Sequence, residues 1–441
     1  MASHVRSVLF VAPEPLRPSL TGPARRTVML AGVVAEHCDV TLAAPSPSVF
    51  PDGPFRTLDI GPQADERLDS ALARHDVVVV QQLPSPRLLL RAARHAPRLV
   101  VDLLAPFALE VAEIADDLPR RRALVRWHAR AMVSHLAAAD FVLCSNERQR
   151  DLLIGAGLAA GLLDPGVAGP ALHERIAVVP HGLEPEPPRT GPPALRTGEL
   201  GAQHRIAVWG GGIWAWFDPL TAVRAVEQLR PTHPDLRLAF VGLEHPDPAA
   251  RAAHAPLAEE VRAYVRDRGL EETVIFRPRW LARDEYMGCI AEADVAISLH
   301  GTTLEGRFAS RTRILDYLSA RLPVVCSTGD AMSEYVDRGE LGRVIAPGDV
   351  EGCATALAAL LTGERRRISP DALTPLLWPS VARPLVDYCV AGAPRPDRGV
   401  AALAARAASD YPALARGVLA ADGATGLARR VAARAASALR R

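Results

Sequence analysis

Short continuous apolar runs punctuate the chain. A first set comprises Val8–Val11, Val40–Ala43, Val77–Val80, Leu99–Leu103, Phe141–Cys144 and Ile176–Val179; a second comprises Ile206–Trp209, Leu236–Val241, Val274–Phe276, Val295–Leu299, Pro323–Ser327 and Val344–Ala346. Runs that do not alternate with polar residues suit strands covered on both faces. Helical patterns lie between them, for example Pro23–Glu36 and the long Phe107–Ala138 region. The pattern predicts an α/β protein with two doubly wound, Rossmann-like domains in tandem, facing a central cleft at the C-terminal edges of both sheets. Between the two sets, Gly182–Gln203 includes EPEPPRTGPPALRTGELGAQ, rich in proline and without periodicity, which reads as a linker. The expected division is 1–185, a linker at 186–203, a second domain at 204–375 and a helical tail at 376–441.

In that tail, TGLARRVAARAASALRR spaces Leu427, Val431, Ala435 and Leu439 at intervals of four among Arg429, Arg430, Arg434, Arg440 and Arg441. Such a helix either packs as a solvated element back onto the first domain or lies as a basic amphipathic helix on anionic lipid.

Chemistry concentrates in Ile297–Ser327, ISLHGTTLEGRFASRTRILDYLSARLPVVCS. It reads as buried strand, irregular loop carrying Glu305, amphipathic helix and second buried strand. A helix beginning at Ser310 or Arg311 aims free N–H groups at that loop, and Thr312, Arg313 and Asp316 share one helix face. The segment is expected to hold an anion, with carboxylates for hydroxyl groups. Asp218-Pro219 is a helix start, an acid cap followed by proline, with Leu220, Val223 and Val226 toward the sheet.

Composition narrows the chemistry. Net charge is +1 over 441 residues, so no global field favours nucleic acid. All 51 basic residues are arginine, which excludes a Walker-type phosphate loop and Schiff-base chemistry, both of which need lysine. The alanine, arginine and proline bias is what a high-GC bacterial gene produces. Cys38, Cys144, Cys289, Cys326, Cys353 and Cys389 form no C-x-x-C pair, so neither a disulfide framework nor structural zinc is expected, and a cytoplasmic location fits. No apolar run is long enough to span a bilayer or serve as a signal peptide. No Asp-x-Asp occurs, which disfavours a diphosphate clamped through a divalent ion; Asp349-Val350-Glu351 reads as a helix cap.

Three blocks resemble the GT-B glycosyltransferases, in particular the retaining nucleotide-sugar transferases of family 4: W-G-G-G-I-W-x-W-F-D-P-L-T within Val208–Thr221, the Ser310–Ala320 helix before P-V-V, and Ser145–Asp151. The resemblance spans nearly the whole chain. It implies transfer of a sugar from a UDP- or GDP-linked donor to a hydroxyl acceptor, with retention and without a metal or further cofactor. The acceptor would sit on the N-terminal domain and the donor on the C-terminal one. Aligning LDYLSARLPVV with the family's L-E-A-M-A-x-G-x-P-V-V puts Asp316 at the second acid of its E-x7-E motif, which grips ribose hydroxyls. Glu305 then stands eleven positions earlier rather than eight, and would contact the donor sugar. The family's basic pair after the first strand of this domain is missing between Ala215 and Pro219, and Arg311 or Arg313 is expected to replace it. Its N-terminal-domain histidine is not evident either, because Gln81-Gln82 and Asp102–Pro106 occupy the candidate loops.

Physically, a departing diphosphate needs fixed dipoles and cations. Gly210, Gly211 and Gly212 permit close backbone approach; Ser310 and Thr312 stand at the helix start; Arg307, Arg311 and Arg313 offer forks. Thr21-Gly22-Pro23 opens another helix, carrying Arg25 and Arg26. Trp214 and Trp280 are expected to face the donor, Trp280 near the base, and His300 ends a strand beside it. Duller readings stand alongside. Asp316 could pair with Arg311 or Arg313, Glu305 could be an ordinary loop acid, Trp209, Trp214 and Trp216 could be packing, and His181 and His300 structural. A catalytically silent paralogue serving as a partner subunit, or a sugar-nucleotide epimerase, are the competing functions.

Overall fold

The computed structural model describes residues 6–391 except 19, 62–65, 83–85, 115–117, 163–173, 187–189, 192–193, 199, 245–247 and 364–365, together with 412, 415, 416, 419 and 423. The chain divides into two compact units. Unit 1 takes residues up to Pro180 and from Ala382 onward, and unit 2 runs from His181 to Val381. The basic C-terminal segment 425–441 lies outside the described residues.

Unit 1 holds a seven-stranded parallel sheet of β1 (Ser7–Val11), β2 (Asp39–Pro45), β3 (Arg56–Ile60), β4 (Val77–Gln81), β5 (Leu99–Asp102), β6 (Phe141–Cys144) and β7 (Ile176–Val178), in the order β3-β2-β1-β4-β5-β6-β7. Unit 2 holds a six-stranded parallel sheet of β8 (Arg205–Gly210), β9 (Leu236–Val241), β10 (Val274–Arg277), β11 (Val295–Ser298), β12 (Val324–Ser327) and β13 (Gly342–Ile345), ordered β10-β9-β8-β11-β12-β13. In both sheets the order reverses beside the first strand, the place where such sheets receive ligands. Every apolar run read as a strand forms one. The additional strand, β3, is an edge strand whose Arg-Thr-Leu-Asp-Ile residues are mostly exposed, so no apolar run announces it.

The continuous apolar runs are explained by two-sided burial. In β8, Ala207 and Trp209 face one core with Leu238, Phe240 and Ile297, while Ile206 and Val208 face another with Ala239, Val324 and Ile314. The expected helix at Phe107–Ala138 is two helices, Phe107–Ile114 and Leu118–Ala138, the second with Pro119 in its first turn. The stretch expected as a linker is largely part of unit 2. Leu195 and Leu200 are fully buried, and the Glu292 carboxylate accepts the N–H groups of Ala194, Leu195 and Arg196. Arg196 in turn donates to Asp294 and to the carbonyls of Gly201, His204 and Glu292. The partners that order this proline-rich segment lie about a hundred positions away, beyond any local pattern.

At the C-terminal edge of the first sheet, Arg26 from the helix Gly22–Ala35 is fully buried. Its Nε and Nη2 donate to the two oxygens of Asp102 at 2.6 and 3.0 Å, and its remaining donors reach the carbonyls of Val179 and Pro180 at 2.7 and 3.0 Å. One guanidinium thus ties the first helix, β5 and the end of β7 together. Breaking such a pair leaves a buried uncompensated charge. Arg26→Ala is expected to lower the stability of unit 1 by about 3–5 kcal/mol in denaturant unfolding, and a loss under about 1 kcal/mol would contradict this role.

Candidate functional site

Two loops leave the C-terminal edge of the second sheet at its reversal point, one after β8 and one after β11, and the backbone joins them. The Asp218 N–H donates to the Leu299 carbonyl at 3.0 Å and the Gly301 N–H to the Trp216 carbonyl at 3.1 Å, so Phe217 and His300 form a local antiparallel bridge. As the Asp-Pro signal predicts, Asp218 caps the helix Pro219–Leu229, accepting from Thr221 N at 3.1 Å. On the other loop, the Thr303 hydroxyl accepts from Gly306 N at 3.0 Å and starts a separate short helix, Leu304–Phe308. Glu305 is therefore helical and buried, not a residue of an irregular loop. The next helix starts at Thr312, later than expected, with Arg311 at its cap position and Ser310 ahead of it.

Glu305 and Arg311 meet as a two-point fork, Nη1 and Nη2 at 3.0 and 2.6 Å from the carboxylate oxygens, with side chains only 2% and 5% exposed. The Arg311 Nε lies 3.9 Å from Asp330, a fully buried acid whose Oδ1 caps the next helix, Ala331–Arg338, through Ser333 N at 2.7 Å. His300, 2% exposed, puts Nε2 3.0 Å from the other Asp330 oxygen and Nδ1 3.0 Å from the Gly301 carbonyl. The Arg311 guanidinium also stands over Trp216 and Phe217 at 5.7 and 5.4 Å.

Arg313 is disposed differently. It lies over the Phe217 ring at 3.8 Å and the Trp209 ring at 5.3 Å, and Nη2 donates to the Gly212 carbonyl at 2.6 Å. Burial pulls its pKa below the ordinary arginine value, though a guanidinium stays charged at neutral pH. Among the described residues no carboxylate forks with it. Among the described residues, four buried polar atoms on this edge have neither a hydrogen-bond nor an ion-pair partner: Trp209 Nε1, Trp216 Nε1, Ser298 Oγ and Arg313 Nη1. Buried polar groups are ordinarily satisfied, so such a concentration marks a place where ligand or water completes the bonding.

The glycine block works otherwise than expected. The Gly210 N–H donates to the Tyr317 hydroxyl at 2.9 Å and the Gly211 N–H to the Val241 carbonyl at 2.8 Å, so neither is open to an anion. Gly210 is glycine for packing, since a Cβ there would stand 2.4 Å from the Tyr286 hydroxyl, whereas Gly211 adopts φ +83° and sits beside Arg313. Asp316 pairs with Arg283 at 2.7 Å rather than with Arg311 or Arg313. Trp214 stacks on Trp216, ring centroids 5.2 Å apart, and Trp280 is 37% exposed in the loop after β10. Thr312 is exposed and Ser310 half-buried. Gly22 begins its helix on unit 1, where Arg26 is consumed by Asp102 and has no fork left for phosphate. Sequence reasoning did not single out Asp330, Arg283, Phe217 or Tyr317; of these, only Asp330 carried a readable signal, an acid three positions before Ser333 at a helix start.

Burial raises the pKa of all six cysteines, to about 11 for Cys289, so none is an activated thiol. Among the described residues no group of three or more His, Cys, Asp or Glu is placed to hold a metal ion, and no helix is long and apolar enough to cross a membrane.

Comparison with known proteins fits this geometry. Residues 205–363 match the family model Glycosyl transferases group 1. Curated protein sequences return no match. Among solved structures, the chain is similar to Anabaena Alr3699/HepE in complex with UDP and glucose, at TM-score 0.52 and 14% identity over 92% of this chain and 99% of that one. An α,α-trehalose-phosphate synthase (UDP-forming) from Burkholderia xenovorans aligns at TM-score 0.59 and 16% identity over 88% and 100%. WaaG, a glycosyltransferase involved in lipopolysaccharide biosynthesis, aligns at 0.55 and 16% over 87% and 99%. The segment carrying Arg313, Glu305 and the Trp214–Trp216 loop matches the glycosyl transferases group 1 model, and the chain shares the GT-B fold of the glycosyltransferases it is similar to.

Proposed function

We propose that the chain moves a sugar from a nucleoside-diphosphate sugar, UDP- or GDP-linked, to a hydroxyl acceptor, with retention of configuration and without a metal ion. The observation that carries this reading is Arg313: a cation without a carboxylate fork, fixed over Phe217 and anchored to Gly212, among unsatisfied donors at the sheet's reversal point. Diphosphate departure needs preorganised positive charge of this kind, held where water is scarce. The UDP and glucose named in the HepE complex support the donor class.

In this reading Arg313, rather than Arg311, takes the place of the missing basic pair, because the Arg311 charge is already met by Glu305. Glu305 acts through Arg311, fixing the start of the helix from which Arg313 projects. Asp316 would exchange Arg283 for ribose hydroxyls when donor binds. Metal independence is supported by the sequence, which lacks Asp-x-Asp. Retention follows if the departing phosphate accepts the acceptor's proton on the face it leaves; burial keeps the cysteines as thiols, so none of them offers a covalent alternative. Contact with an anionic membrane through the segment 425–441, and a cytoplasmic location, are part of the same proposal.

The burial of Glu305 against Arg311 also favours a second reading, a GT-B subunit that binds no donor and serves as a partner. Calorimetry decides between them. Binding of UDP, GDP or their sugars is expected, and no heat with any of these supports the partner subunit. With the donor identified, turnover is expected to persist in excess EDTA, and a strict divalent requirement would overturn metal independence. Arg313→Ala is expected to lower kcat by about a hundredfold, the scale of removing one transition-state charge stabiliser, and near-normal turnover would remove Arg313 from the chemistry. Arg311→Ala, by contrast, is expected to lower the stability of unit 2 by about 3–5 kcal/mol, because it strands Glu305 as a buried charge. Unchanged unfolding of that variant would show that the pair is not structural.

A further inference from the structure

The two loops at the C-terminal edge of the first sheet, after β4 and after β5, contain no histidine, yet a histidine reaches them from a third element. His128 comes from the middle of the helix Leu118–Ala138. Its Nδ1 lies 3.4 Å from the amide nitrogen of Gln82, the residue that follows β4. Its ring stands 5.9 Å from Phe107, the first residue of the helix that leaves the loop after β5, and 4.4 Å from Trp127. All four side chains are half-buried. Three elements, the loop after β4 and two helices, converge there with an indole, a phenyl ring, an imidazole and a primary amide.

We infer that Gln82, Phe107, Trp127 and His128 form a subsite on unit 1 for a neutral sugar ring. The chemistry selects that class. None of the four carries a carboxylate or a guanidinium, so nothing in the set attracts a charged group. Aromatic faces take the C–H face of a pyranose, while an amide and an imidazole meet hydroxyl groups, the pattern of an apolar site with a few convergent polar atoms. With Nδ1 turned to the Gln82 amide nitrogen, the imidazole carries its proton on Nε2, a donor for a hydroxyl oxygen. Burial pulls the His128 pKa down to about 4, which keeps the ring neutral at physiological pH.

Calling this ring the acceptor rests on the glycosyl-transfer reading above, but its binding does not require a donor. Saturation-transfer NMR on the full chain with methyl α- and β-glucopyranoside, galactopyranoside and mannopyranoside tests it. Saturation of ring C–H protons is expected with at least one of these probes. The effect should fall about fivefold in Trp127→Ala, in keeping with loss of an aromatic contact, and persist in Trp127→Phe. Gln82→Ala, at a half-buried position where unfolding is not expected, should weaken it as well. UDP calorimetry on the same variants should be unchanged. No saturation from any of the pyranosides, or signals undiminished in both Trp127→Ala and Gln82→Ala, would overturn the subsite. Failure of wild-type chain to bind UDP would instead sink the donor reading and leave the sugar subsite standing.

Discussion

The buried pairing of Glu305 with Arg311 is the constraint on which the donor-side geometry depends. A carboxylate 2% exposed and a guanidinium 5% exposed cannot be separated without stranding a charge, so the pair pins the segment between them. That segment sets the start of the helix Thr312–Ser319, and the helix sets Arg313, two positions on, over Phe217. Phe217 is itself held by the backbone bonds that join its loop to the loop after β11. Asp330 extends the network to a third loop, and His300 lies between that acid and the Gly301 carbonyl. Positive charge is thus fixed at the sheet edge by packing, before any ligand arrives.

The first sheet uses the same device for another end. Arg26 and Asp102 fork at the C-terminal edge of unit 1, with two backbone carbonyls taking the remaining donors. A planar guanidinium can serve a carboxylate and two carbonyls at once; a lysine ammonium lacks that geometry. In a chain without lysine, buried arginine forks therefore serve as structural joints in both units, and whether an arginine is available to a ligand depends on whether a carboxylate has already claimed it. Arg26 and Arg311 are claimed, and Arg313 is not.

Much of this was readable in advance. Two-sided burial gives most of the strands a mainly apolar run, so the strands, their parallel pairing and the doubled α/β plan follow from local pattern. The Asp218 cap was equally plain, because capping is decided within four residues. The edge strand β3 was not, since most of its residues face solvent. Nor was the order in residues 194–204, whose hydrogen-bond partners Glu292 and Asp294 stand far along the chain.

By itself the sequence determined the fold class, the stretch in which the chemistry sits, and the residue types available there, because periodicity, capping and composition act over short distances. Only the tertiary structure decided which of those residues are free to act. It spent the Gly210 and Gly211 N–H groups on Tyr317 and Val241, gave Asp316 to Arg283, and closed Glu305 on Arg311. It also carried His128 from mid-helix to Gln82 and Phe107. These outcomes depend on hydrogen-bond partners brought together by packing, and charge satisfaction among buried groups has no signature in local order along a chain.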